Sequence, residues 1–195
     1  MLEPIHSVTK TVPDEVLARE AQRGAHGAFE TLLLRYQQRV YRLAFRMCPK
    51  AADAEEITQE TFLHAYRGMS SFHGESRFST WLYRIAVNQA LMSRRAARRR
   101  PQESLDGFES KGALSDATDE LVHRKALTQR VRRALARLGD AQRVALVLLD
   151  LEELSGDQAA EVLGISAVAV RQRAHRARLR LREELGDVLS SLDRG

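Results

Sequence analysis

The sequence predicts an all-α protein built as two small helical domains joined by a flexible acidic linker. Three observations lead there. Apolar residues recur at steps of three and four through most of the chain, and no segment shows strand alternation worth naming. The 11 glycines and 4 prolines of 195 residues fall mainly between those periodic stretches. One stretch, residues 101–120, breaks sharply from the rest in composition.

Residues 1–12 read as a flexible N-terminal arm. Pro13-Asp14 opens a first helix to Arg23, with Val16, Leu17 and Ala21 on its apolar side. Gly24-Ala25-His26-Gly27 interrupts it, and a long helix runs from Ala28 to Met47. Phe29, Leu32, Leu33, Tyr36, Val40, Leu43, Ala44 and Met47 give that helix its stripe, and Pro49 ends it. A third helix, Asp53 to Gly68, sets Ile57, Thr61 and Ala65, flanked by Phe62 and Leu63, opposite Glu56, Gln59 and Glu60. That acidic patch on a basic protein is either an ordinary solvated face or a docking surface for a basic partner.

The loop Ser70–Phe78 carries two aromatic residues among polar ones. Phe72 and Phe78 either stack on single-stranded bases beside basic groups or pin the loop to the helices. Pinning is the expectation for Phe78. Ser79 or Thr80 caps a fourth helix to Arg99, with Trp81, Leu82, Ile85, Ala86 and Leu91 as core. Asn88 stands among them, which calls for a buried partner or a ligand. The helix ends in Ser93-Arg94-Arg95-Ala96-Ala97-Arg98-Arg99-Arg100, a cluster suited to phosphates. Residues 13–100 therefore form the first domain.

Serine, glycine and carboxylates dominate residues 101–120, where Lys111 is the only base, so the stretch reads as an acidic tether. The second domain spans 121–190. It begins with a helix from Glu120 to Arg137, breaks at Gly139-Asp140, and resumes as an apolar helix from Ala141 to Glu152. Two short helices follow. Ser155 and Gln158 form a capping box, Gly164 supplies the turn, and Ser166 caps the next helix. Val170, Ala174, Ala177, Leu181 and Leu185 make its buried stripe, and Arg171, Arg173, Arg176, Arg178, Arg180 and Arg182 surround it. This is the helix-turn-helix pattern, whose second helix enters the DNA major groove. Arginine can pair with guanine through two hydrogen bonds and glutamine with adenine.

The net charge of +5 and a pI near 9.8 suit a polyanionic partner and would equally suit an anionic membrane surface. Cys48 is the single cysteine, which excludes an internal disulfide and fits a reducing cytoplasm. It is expected to be a small core side chain. No signal peptide is legible, and the apolar run Val144–Leu149 is far too short to span a bilayer. His6, His26, His64, His73, His123 and His175 are scattered, so no metal site, cofactor or enzyme is expected. A dimeric repressor would need a palindromic site and a symmetric interface, and the asymmetric layout argues against one.

Two blocks carry a family resemblance. Asp53-Ala54-Glu55-Glu56-Ile57-Thr58-Gln59-Glu60-Thr61-Phe62-Leu63 is one, and the segment from Phe72 through Thr80-Trp81-Leu82-Tyr83-Arg84-Ile85-Ala86-Val87-Asn88 is the other. They resemble regions 2.2 to 2.4 of the extracytoplasmic-function (ECF) sigma factors, most nearly the sigma-E type. Residues 108–114 resemble that type's linker, and the helix-turn-helix corresponds to region 4.2. The likeness covers about Pro13 to Asp187. It implies that Glu56, Gln59 and Glu60 dock on the β′ coiled coil of core RNA polymerase, with the β flap as a further contact. It implies that Phe72, His73, Gly74, Glu75, Ser76 and Asn88 open the −10 element and hold a flipped base, while Arg94 and Arg95 follow DNA phosphates. Ser166, Arg171, Gln172, His175 and Arg176 would read the −35 element. It also implies stress-responsive control by an anti-sigma factor, often membrane-anchored. The chain departs from the family's habit at Asp157-Gln158-Ala159-Ala160, at Val168-Ala169 and at Leu149, all near the −35 reader.

Overall fold

The computed structural model describes residues 12–48, 50–99 and 119–192, with side chains described over 127–186 of the last stretch. Nearly all of the expected N-terminal arm, Pro49, Arg100 and the tether up to residue 118 lie outside the described residues. Every element seen is helical. α1 (Asp14–Gln22), α2 (His26–Met47) and α3 (Ala51–Gly68) lead through a single 3₁₀ turn, Met69–Ser71, to α4 (Phe78–Arg99). After the tether come α5 (Asp119–Arg137) and α6 (Asp140–Leu146), which continues as a wider π turn over Val147–Leu151. α7 (Gly156–Leu163) and α8 (Ala167–Leu192) complete the fold.

α2 is the axis of the first bundle. Leu32, Val40, Leu43, Ala44 and Met47 are wholly buried, and Tyr36 nearly so, which is the stripe the sequence periodicity predicts. α3 covers it with Ala54, Ile57, Phe62 and Ala65, and α4 with Phe78, Leu82, Tyr83, Ala86, Val87 and Ala90. α1 is tied on by Asp14, which accepts hydrogen bonds from Arg35 and from the Tyr36 hydroxyl. α4 starts at Phe78, one residue before the expected Ser79 cap, because the Phe78 ring is itself core: it packs edge-on to Tyr36 at 5.6 Å. Thr80, the other expected cap, is buried within the helix.

In the second bundle the local signals act as expected. The Ser155 hydroxyl accepts from the Gln158 N–H, and the Gln158 side chain accepts from the Ser155 N–H, so both halves of the capping box are made. Gly164 ends α7 at φ 64°, a left-handed conformation that a Cβ resists. The Ser166 hydroxyl accepts from the Ala169 N–H at the start of α8. Val170, Ala174 and Ala177 are fully buried beneath α6 and α7.

The two bundles are packed against each other, where the acidic tether alone would leave them mobile. α7 lies on α4, and α5 and the π turn lie on α2. A single apolar core runs from α2 and α4 through Val144, Ala145, Val147 and Leu148 to Ala159, Val162 and Val170. Polar groups stitch the same seam. Arg143 is 1 % exposed; its guanidinium donates to the carbonyls of Leu135, Ala136 and Leu138 and, across the seam, to that of Met47 at 2.9 Å. Burial, with Arg94 nearby, pushes its pKa down to about 10, which leaves it charged near neutrality. Helix C-termini carry negative partial charge, so the carbonyl ends of α5 and α2 suit a buried cation. Glu152 is held between Arg46 (2.7 Å) and the Tyr83 hydroxyl (3.2 Å). Arg132 sits 3.6 Å over the Phe45 ring and donates to the Cys48 carbonyl. Burial pushes the Cys48 thiol up to about 12, as befits a core side chain.

Candidate nucleic-acid interface

Three exposed faces collect the predicted site residues. The first is the outer stripe of α3. Glu56 and Gln59 are exposed, and Glu60 is half-exposed with His64 one turn on at 3.6 Å. Residues 56, 59, 60, 63 and 66 share one side at helical spacing. The sequence reading placed Leu63 with the core. Instead Leu63 is 46 % and Tyr66 49 % exposed, so the stripe is acidic at one end and apolar at the other. Tyr66 is fixed there by packing edge-on to Phe29 and by a 3.1 Å contact between its hydroxyl and His26 Nδ1.

The second face is the 72–76 loop with the outer side of α4. Phe72 is buried, which favours pinning over stacking, the two alternatives the sequence leaves open. Its ring packs 5.1 Å from Trp81 and 6.0 Å from Phe78, and Gln22 on α1 donates to its carbonyl at 3.0 Å. Both loop aromatics therefore pin. What the loop exposes is His73, Gly74 and Glu75, with Ser76 half-buried; Gly74 holds φ 72°. Asn88 is exposed, which removes the buried-partner alternative and leaves the ligand one. It lies one turn from Arg84 and two from Arg95, all exposed on one side of α4. The sequence reading missed Arg84, although its spacing of four from Asn88 was visible. Arg94 is half-buried, donating to the Met47 carbonyl and to Asp140.

The third face is α8. Arg171, Gln172, His175 and Arg176 are all exposed on the side away from the buried stripe, and Ser166 is exposed at the turn before it. The other arginines differ. Arg178 grips both oxygens of Asp150 at 2.5 and 2.8 Å, and Arg180 donates to Gln142 at 3.0 Å. Four exposed groups at i, i+1, i+4 and i+5 are the spacing with which one helix side can face base edges. Gly156 contributes here, since a Cβ at that position would lie 2.7 Å from Arg171 Nη1; the guanidinium rests over the start of α7.

Among the described residues no group of histidine, cysteine and carboxylate side chains could hold a metal ion, and no helix is long and apolar enough to cross a membrane.

A glycine-turned helix pair with a one-sided basic second helix, set on a second helical bundle, defines a DNA-binding helix-turn-helix protein. Family models narrow this further. Sigma-70 region 2 matches residues 32–100, and Sigma-70 region 4 matches residues 128–181. The chain is 37 % identical over 179 residues to the ECF RNA polymerase sigma-E factors of Salmonella typhimurium and Escherichia coli, covering 88 % of this chain and 93 % of each. It is 36 % identical over 173 residues to the RNA polymerase sigma-H factor of Pseudomonas aeruginosa, covering 85 % and 90 %. Among solved structures, CnrH in complex with the cytosolic domain of CnrY aligns over 89 % of this chain and 97 % of that one, with TM-score 0.70 and 28 % identity. RpoE of Bartonella quintana in complex with the anti-sigma factor NepR aligns over 81 % and 96 %, with TM-score 0.64 and 28 % identity. The chain belongs to the extracytoplasmic-function sigma factors of the sigma-70 family. A sigma factor is not an enzyme; it directs core RNA polymerase to promoters.

Proposed function

We propose that the three faces divide the work of promoter recognition as follows. The α3 stripe of Glu56, Gln59 and Glu60 docks on the β′ coiled coil of core polymerase, and Leu63 and Tyr66 extend that contact with apolar surface. Carboxylates set the approach of a basic partner, while exposed apolar groups supply the burial that holds it. The second bundle makes the β-flap contact.

The −10 element is opened at the 73–76 loop and along α4. His73, Glu75, Ser76 and Asn88 offer polar edges to an extruded base, and Gly74 gives the loop its left-handed bend. Unstacking a base costs a few kcal/mol, which a shaped polar pocket has to offset. Phe72 acts from beneath, holding the loop on Trp81. Arg94 and Arg95 follow phosphates. At the −35 element, α8 lies in the major groove with Arg171, Gln172, His175 and Arg176 on base edges and Ser166 near the backbone. The domains are taken as 13–100 and 121–190, joined by the 101–120 tether.

The reading that an anti-sigma factor restrains the chain is supported by its likeness to RpoE, solved with the anti-sigma factor NepR, and to CnrH, solved with the cytosolic domain of CnrY. A membrane-anchored inhibitor would couple the chain to an envelope signal while the chain works in the cytoplasm.

The observation that carries this reading is the exposure of Arg171, Gln172, His175 and Arg176 on one side of α8 within a made helix-turn-helix. The test is transcription by core polymerase from a pooled promoter library with the purified chain added. Starts should cluster downstream of shared −35 and −10 sequences. Arg171→Ala and Arg176→Ala should each weaken promoter binding by roughly tenfold, the worth of a bidentate base contact, and leave core binding unchanged. Loss of core binding in either variant would refute the assignment of α8 to the −35 element.

A further inference from the structure

In the packed chain, groups of the second bundle occupy the cations that α4 would offer to DNA. Arg94 Nε donates to Asp140 Oδ1 at 2.7 Å, and Arg98 reaches both oxygens of the same carboxylate at 3.2 Å. One turn before Asn88, Arg84 donates to the main-chain carbonyl of Glu161 on α7 at 3.1 Å. Asp140 is the first residue of α6, so its charge also sits where a helix start favours an anion. Two guanidiniums closing on two oxygens of one anion is the arrangement a DNA phosphate would make with the same pair.

The promoter-bound state cannot keep this arrangement. Elements at −10 and −35 lie about 25 base pairs apart, on the order of 85 Å at 3.4 Å per pair. Here the two bundles share one core and are separated by a side-chain layer. The bundles must part for both elements to be read.

We propose that Asp140 is an internal phosphate surrogate: it latches the second bundle onto Arg94 and Arg98, and promoter DNA releases the latch by taking over both arginines. The inference rests on the reading that α4's arginine cluster follows DNA phosphates. The free chain is then restrained by its own second bundle before any inhibitor binds, and raised salt loosens it. Asp140→Asn removes the charge and keeps the shape, and Asp140→Glu is the charge-preserving control.

The first measurement is binding of the full-length chain, without polymerase, to a mixed-sequence single-stranded oligonucleotide across a salt series. Asp140→Asn should bind on the order of tenfold more tightly at low salt. Its slope of log affinity against log salt should steepen by roughly 1.4, about 0.7 for each of two phosphates gained. Asp140→Glu should stay near the parent. The second measurement keeps Asp140. Spin labels at Gln37→Cys on α2 and Arg182→Cys on α8, both exposed positions, report the gap between bundles, and adding the oligonucleotide should lengthen it. If Asp140→Asn lengthens the gap yet leaves affinity and slope unchanged, the arginines do not meet DNA, and the underlying reading falls. If neither variant nor oligonucleotide moves the gap, the latch itself is refuted.

Discussion

Replacing Arg143 with methionine should be among the most damaging single changes outside the apolar core. Methionine fills similar space but donates nothing. The carbonyls of Leu135, Ala136 and Leu138 would lose this donor at the end of α5, while that of Met47 keeps Arg94 at 3.0 Å. A buried acceptor left unsatisfied costs about 1–3 kcal/mol. The Leu135 carbonyl keeps the Leu138 N–H at 3.1 Å, so two are stranded, worth about 2–6 kcal/mol before the gain from no longer desolvating a guanidinium. The expected loss is about 3–5 kcal/mol, the usual result of removing one partner of a buried charge network. Arg143→Lys should recover only part of it, because one ammonium cannot span acceptors on two helices. Urea unfolding followed by helical circular dichroism gives the free energy. Thermal melting should show a fall of roughly 10 °C, at about 2–4 °C per kcal/mol for a chain of this size. A loss under about 1 kcal/mol, or a gain, would mean that desolvation cancels all four bonds, as happens in some buried ionic networks. The account of the seam would then be wrong.

Burial holds the Glu152 carboxyl above its usual value of 4.5, against the lowering effects of Arg46 and Tyr83. The folded state therefore keeps this proton longer than the unfolded state, and the carboxyl's contribution is largest below the unfolded pKa and declines as pH rises through the folded one. The stability of the parent relative to Glu152→Gln should fall over that window and then level off; a difference that grows with pH would show that Arg46 pairing outweighs burial. Leu63→Ser should weaken core polymerase binding by several-fold without lowering the melting temperature, since the side chain is exposed, and a competition assay against the parent chain checks it. Gly164→Ala should cost about 1 kcal/mol by forcing a Cβ into a left-handed turn, and an unchanged urea midpoint would contradict the role given to that turn.

The helices and their caps were legible in the sequence because their causes are local. Ser155 and Gln158 are three residues apart, Gly164 acts on its own backbone, and the α2 stripe needs only a count of three and four. Asn88 shows where local reading leaves two answers open. Ile85 and Leu91 suggested a core centred beside it, but both are only half-buried; the α4 seam is Leu82, Tyr83, Ala86, Val87 and Ala90, which turns residue 88 outward. Phe72 stays undecided in the sequence for a related reason. A ring in a polar loop looks available until the fold brings Trp81 beneath it. The seam between bundles left no local sign at all. Arg143 reads as one more surface arginine, and Glu152 as the polar end of a helix, until α2 and α4 close over them.

The Met47 carbonyl receives two donors, Arg94 from its own bundle and Arg143 from the other. When the second bundle departs, Arg143 keeps its three acceptors at Leu135, Ala136 and Leu138, and the end of α2 keeps Arg94. At this carbonyl, then, neither side is stranded, whereas Glu152 parts from Arg46 and the Tyr83 hydroxyl and must turn to water. The shared carbonyl is thus a contact at which the seam can open without leaving a buried acceptor empty on either side.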